Sequence, residues 1–211
     1  MYNIITLGSN CSPAAALRGL ELRPFALPFD WIISNINTLN ECFKTNFAHF
    51  HTGLHFNSAK KRLIDSYGFE FPHDYPLTDI SDISVVGEGV IGEEEDKTIV
   101  DNWHIYYDTV RNKYARRIER FINIVHDTKP IIVLCRYSTQ EVTLIQLMFR
   151  FYYNKENVFF VNSSPEPYSD DHIINCYTER NGNWNDLAVW KEGITAAEAL
   201  IQAAAAKVSQ E

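Results

Sequence analysis

The chain has 211 residues, 45% apolar and 13% aromatic, enough to bury one core of ordinary size. Its formal net charge of −8 argues against broad electrostatic binding to nucleic acid. No apolar run reaches the ~18 residues of a membrane-spanning helix, so no membrane partner is expected. The four cysteines, at positions 11, 42, 135 and 176, form no Cys-x-x-Cys pair and follow no secretory signal, so reduced thiols in a cytoplasmic protein are expected.

Residues 2–7 are apolar and β-branched and predict a buried strand. Gly8 breaks it. Ser9, Asn10 and Ser12 are N-cap candidates, Pro13 suits a first helical turn, and residues 14–17 favour helix. Cys11 therefore falls at a strand-to-helix turn. The helix dipole and the N–H groups of a first turn favour a thiolate and can hold an oxyanion. Cys11 is the candidate nucleophile; the plainer reading is a small residue buried in a tight turn.

Pro24 and Pro28 flank an extended apolar piece and forbid a helix there. Asp30 stands between Phe29 and Trp31 and needs partners if it is buried. It is either an orienting acid of a site, or a cap for a helix starting near Ser34, or a partner of Arg18 or Arg23. Ile36, Leu39, Phe43 and Phe47 recur at helical spacing and predict an amphipathic helix over residues 36–50. His49, His51 and His55 follow, with no carboxylate or cysteine at ligand spacing, so no metal site is expected.

Residues 60–62 form a short basic run, read as a solvated face. Phe69 and Phe71 alternate with Glu70 and Pro72 ends the strand, which leaves His73 and Asp74 on a loop. An imidazole placed there can activate a thiol; the alternative is an ordinary loop histidine beside a turn aspartate. Residues 77–98 read as a variable insertion, with an acidic run at 93–96.

Residues 99–126 carry the longest helical pattern, with Lys113, Arg116, Arg117 and Arg120 off its apolar stripe. These cations read either as a solvated face paired with Glu119 or as recognition of a phosphate or carboxylate. Residues 131–135 predict a central strand covered on both faces, followed by Arg136 and a helix over 140–153 that Thr139 can cap. A buried strand at 158–162, a strand at 172–177 and an alanine-rich helix from Thr195 complete the pattern. The order argues for one α/β domain over residues 1–211, three-layered, with a mainly parallel sheet and helices on both faces, flavodoxin-like. Sites in such sheets lie beyond the carboxyl ends of the strands, where Gly8, Ser9, Asn10, Cys11 and Arg136 fall. His172 is a rival base.

The run Leu7-Gly-Ser-Asn-Cys-Ser-Pro-Ala-Ala-Ala-Leu-Arg-Gly-Leu-Glu-Leu-Arg23, followed by Pro28-Phe-Asp-Trp31, resembles a bacterial family described as papain-like cysteine peptidases. Phe71-Pro-His-Asp74, the basic helix Lys113-Tyr-Ala-Arg-Arg-Ile-Glu-Arg-Phe121 and the strand ending in Arg136 match further pieces in the same order. The resemblance implies Cys11 as nucleophile, His73 as base, and Asp74 or Asp30 as orienting group. A nucleophile directly after the first strand is also similar to the SGNH esterases, and to cysteine-containing enzymes proposed to acylate capsular polysaccharide.

Three functions follow. One is a cysteine-dependent hydrolase, a peptidase or amidase, acting on a peptide, glycan or other small substrate without a cofactor. A second is an acyltransferase on a sugar or surface polysaccharide, with acyl-coenzyme A as donor and its phosphates met by Arg116, Arg117, Arg120 or Arg136. The third is a non-catalytic binding domain in which Cys11 is inert.

Overall fold

In the computed structural model, which describes residues 1–79, 86, 90–92, 95–179 and 183–208, strands and helices alternate around two sheets. The elements run β1 (Asn3–Leu7), α1 (Ser12–Gly19), α2 (Ile36–Lys44), then the short strands β2 (His55–Phe56), β3 (Leu63–Ile64) and β4 (Glu70–Phe71). A 3-10 turn at Trp103–Tyr106 leads into α3 (Tyr107–His126), followed by β5 (Ile131–Cys135), α4 (Thr139–Tyr153), β6 (Val158–Ser163), β7 (Ile173–Cys176) and α5 (Leu187–Val208).

β1, β5, β6 and β7 form one parallel sheet in that order, with Leu7 opposite Cys135 and Cys135 opposite Asn162. β2, β3 and β4 form a small antiparallel sheet. The period of two along each strand decides the layers. Ile5, Leu7, Val133, Cys135 and Phe160 face α2, α3 and α4, where Phe43, Phe121 and Phe149 are buried. Ile4, Ile132, Leu134, Phe159 and Val161 face α1 and α5, against Leu17, Trp190 and Ile194. Helix α5 comes so close to β6 that a Cβ at Gly193 would stand 2.6 Å from Val161 Cγ1. The result is the expected three-layer α/β fold with a parallel sheet. Its strand order is sequential, whereas a flavodoxin-like sheet reverses beside its first strand.

Several local expectations change. The helix expected over 36–50 stops at Lys44, because Asn46 and Phe47 take left-handed φ values of 48° and 64°. Phe47 and Phe50 stay buried after the chain turns, so the apolar spacing outlasts the helix. Ser138, not Thr139, caps α4, through a capping box with Glu141. The last helix starts at Leu187, before Thr195. The basic stripe of α3 is only partly solvated: Lys113 and Arg117 are 2% and 4% exposed.

The long connection between α2 and α3 is packed by rings. Phe29 is surrounded by Phe43, Phe47, Phe50, Phe69 and Phe121, with ring centroids 5.3–6.0 Å away. The insertion read at 77–98, with its acidic run at 93–96, lies partly outside the described residues. Within it Leu77 pairs with Ile99, and Val86 and Ile91 are buried. Among the described residues no helix is long and apolar enough to cross a membrane.

Candidate active site

The turn after β1 is fixed from several sides. Gly8 passes under the carbonyls of Phe29 and Ile32. A Cβ there would stand 2.8 Å from the Ile32 oxygen and closer still to that of Phe29, so no side chain fits. Ser9 Oγ donates to Arg136 O at 2.7 Å, which ties this turn to the end of β5. Ser34 Oγ lies 2.5 Å from Gly8 O and 2.7 Å from Tyr137 Oη. A carbonyl only accepts, so the Ser34 proton goes to Gly8 and Tyr137 donates to Ser34.

Cys11 itself occupies the N-cap position of α1, ahead of the expected Ser9, Asn10 or Ser12, and its side chain makes no capping bond. Asn10 Oδ1 accepts the Ser12 N–H at 2.9 Å, and Pro13 has no N–H to offer. The first turn of α1 therefore has fewer donors for an oxyanion than its position suggests. Behind it, Asn185 Oδ1 accepts from Ser12 Oγ at 3.2 Å and from Trp190 Nε1 at 2.6 Å, which anchors α1 on α5.

The Cys11 side chain faces His73. Sγ lies 3.0 Å from Nε2, and both residues are half-buried. His73 follows β4 and the buried Pro72. Its Nδ1 lies 2.7 Å from Ile91 O, and Ile91 N–H donates back to His73 O at 2.9 Å. Because a carbonyl accepts only, Nδ1 must carry the proton. In the neutral ring Nε2 is then the acceptor, turned toward the thiol. Trp31 closes one side, edge-on to the imidazole at 6.1 Å.

The other sequence-predicted residues lie elsewhere. Asp74 is next to His73 in sequence, but its carboxylate faces α3. It pairs with Lys113 Nζ at 2.7 Å and accepts from Tyr114 Oη at 2.8 Å. Burial pushes its pKa up, and Lys113 and Arg117 outweigh this, holding it below the ordinary carboxylate value. Asp30, 2% exposed, accepts from Thr6 Oγ1 at 2.6 Å and Leu27 N at 2.7 Å and pairs with Arg23. It thus braces β1 against the following loop, and Asn35 caps α2 in its place. Arg136 pairs with Glu179 at the carboxyl edge of the sheet.

His172 precedes β7 and so stands at the amino edge, away from Cys11. Its ring stacks on Phe159, and its Nδ1 lies 3.0 Å from Val158 O. His51 is caged: its ring lies parallel to Tyr75 and Tyr107, edge-on to Phe71, with Nε2 3.0 Å from Tyr75 Oη. Among the described residues no cluster of His, Cys, Asp and Glu has metal-binding geometry.

Sequence reasoning missed Ile91, Ser34, Tyr137 and Asn185. Ile91 acts through its main chain, and no side-chain pattern marks that. The other three are common polar residues whose partners are distant in sequence.

The family described as "Putative papain-like cysteine peptidase" matches residues 2–164, a span that holds Cys11, His73 and Ile91 and leaves out His172, β7 and α5. An uncharacterized protein of Acanthamoeba polyphaga mimivirus is 26% identical over 220 residues, covering 89% of this chain and 95% of its own length. That relative is viral and gives the bacterial attribution no support. No solved structure matches, so the likeness to SGNH esterases finds no support either. The family match spans well over half of the chain, and the protein belongs to the family described as "Putative papain-like cysteine peptidase".

Proposed function

We propose that the protein is a cysteine-dependent acyl hydrolase, a peptidase or amidase, with Cys11 as nucleophile and His73 as base. The observation that carries this reading is the 3.0 Å approach of Sγ to Nε2, on a ring whose Nδ1 proton is held by Ile91 O. A nucleophile, a base within reach and a third group that orients the base make up the general pattern of thiol catalysis. Here the third group is a main-chain carbonyl.

The S–H proton passes to Nε2, and the thiolate attacks the substrate carbonyl carbon. The electron pair of the carbonyl moves onto its oxygen, returns, and expels the amine, which takes the proton from Nε2. The resulting thioester is cleaved by water, whose proton His73 accepts and then gives back to the sulfur. Asn10, pinned through Oδ1, carries amide donors beside Cys11 and is the proposed supplement to the depleted helix turn. A sugar hydroxyl in place of water would turn the same thioester into an acyl transfer, which product analysis separates from hydrolysis.

Iodoacetamide modification of Cys11, read by mass across pH 5 to 9, tests the pair. An ordinary thiol of pKa about 8.5 is roughly 3% ionised near neutral pH, so activation can raise the rate about tenfold to thirtyfold. Wild type should react near that upper range at neutral pH. His73→Ala should lose about tenfold, and His172→Ala should lose nothing. A wild-type rate equal to that of an ordinary thiol, unaffected by His73→Ala, overturns the reading.

A further inference from the structure

A groove made of two adjoining pockets runs from the first turns of α1 and Trp31 to the basic face of α3; Cys11 and His73 border it without lining it. Its first part, about 240 Å³, is lined by Ala14 and Leu17 of α1, by Trp31 and by Arg117. Ala14 lies in the helical turn that starts at Cys11, and Trp31 is the residue edge-on to His73. Its second part, about 260 Å³, is lined by Lys113, Arg116, Arg117 and Arg120. The two parts share Pro24, Phe25, Ala26 and Arg117.

Among the described lining residues of this groove, cations outnumber carboxylates. Positions 113, 116, 117 and 120 fall on one face of α3 by their spacing. Lys113 and Arg117 are almost fully buried; among the described residues Asp74 pairs with Lys113 at 2.7 Å, and Asp30, which also lines the groove, pairs with Arg23. Arg117 is 4% exposed, and its Nη1 has no hydrogen-bond partner among the described residues. Nη1 of Arg117 is thus a buried donor with no acceptor, although the Asp74 charge lies near the guanidinium; an unmet buried donor is costly, and an anion seated beside it removes that cost. Arg120 is held at the mouth, its guanidinium 5.7 Å over the ring of Phe25, with Arg23 at the same distance.

We infer that this groove binds a phosphoryl group of the substrate, gripped by Arg117 and Arg120, with the acyl group to be cleaved lying at Cys11. The inference rests on the hydrolase reading for the second clause and on the groove alone for the first. A phosphate monoester carries about −1.5 to −2 charge and accepts paired guanidinium bonds, which suits several arginines on one face better than a carboxylate does.

Binding is read by calorimetry on the Cys11→Ala protein, where no thiol chemistry intervenes. Inorganic phosphate and phenyl phosphate should bind saturably, and acetate at least tenfold more weakly. Arg117→Gln and Arg120→Gln should each weaken phosphate at least tenfold, while Arg136→Gln changes nothing. Arg120 is exposed, so its variant keeps the core and remains decisive if Arg117→Gln fails to fold. No saturable phosphate binding, equal binding of acetate, or unchanged binding in Arg120→Gln overturns the site.

In the wild-type protein, phenyl phosphate should slow alkylation of Cys11 at least fivefold at saturation. Binding without that protection assigns the groove to free phosphate and overturns its role for substrate. An unreactive Cys11 beside intact phosphate binding would strike down the hydrolase reading alone, and the reverse result would strike down the groove alone.

Discussion

Cys11 and His73 meet from regions built by opposite means. Cys11 hangs on regular structure: β1 is laddered to β5 over its whole length, and α1 begins at the cysteine itself. Many backbone hydrogen bonds share the load there, and Asp30 and Arg23, paired with each other, tie the strand to the loop that follows. His73 hangs on the connection between α2 and α3, where the strands are two residues long and Asn46, Phe47, His51 and Lys60 have positive φ. Side chains hold that region: the rings around Phe29, the cage around His51, and Asp65, whose carboxylate accepts four backbone N–H groups at 2.9–3.0 Å. A ladder spreads the effect of a mutation, whereas a ring cluster concentrates it on one residue.

Phe29→Ala should have the largest effect on stability. Removing a ring that touches five others costs about 3–5 kcal/mol. Urea denaturation measures this, and a cost near 1 kcal/mol would erase the contrast between the two regions. Gly8→Ala should follow, at about 1–3 kcal/mol, since its Cβ meets backbone oxygens that cannot move aside like a flexible side chain. It should also lower the alkylation rate of Cys11, because the turn that carries the thiol must shift. Wild-type stability in this variant would show that the ladder side is looser than described.

His51→Phe should give the smallest and most informative effect. Burial lowers the His51 pKa to about 4, from an ordinary 6.5. A depressed histidine contributes stability above its unfolded pKa and loses it as pH falls toward the folded one. Burial raises the Asp65 pKa to about 6. A raised carboxyl contributes stability at low pH and loses it as pH rises through the folded value. The two slopes oppose each other between about pH 4 and 6, as the two shifts require. Removing His51 leaves the Asp65 slope, so the variant's deficit against wild type should be smaller near pH 4.5 than near pH 7. An equal deficit at both pH values would mean that His51 titrates as it does in the unfolded chain.

The legible parts of the sequence were those with a local cause. The apolar runs at 131–135 and 158–162 had to be central strands, and Gly8 with Pro13 had to put Cys11 between a strand and a helix. The end of α2 was hidden because Phe47 and Phe50 keep facing the core after the chain has turned. The burial of Lys113 and Arg117 was hidden because Asp74 reaches them from another element. The family resemblance implies Asp74 or Asp30 as the group orienting His73, yet Asp74 turns toward Lys113 and Tyr114 and Asp30 toward Thr6 and Arg23. His172 was read inside a strand and lies before it, which moves it to the far edge of the sheet.

The group that steers the His73 ring belongs to the main chain at Ile91, and this sets what mutagenesis can register. Replacing a side chain leaves a carbonyl in place, so a scan of single substitutions would count two participants where three stand in line. Position 91 can change among apolar residues that fill the same core space and keep the N–H to His73 O, because each of them offers the same oxygen. Related proteins with another apolar residue at this position would keep the same hydrogen bond to His73, and a comparison of residue identities there would not register it.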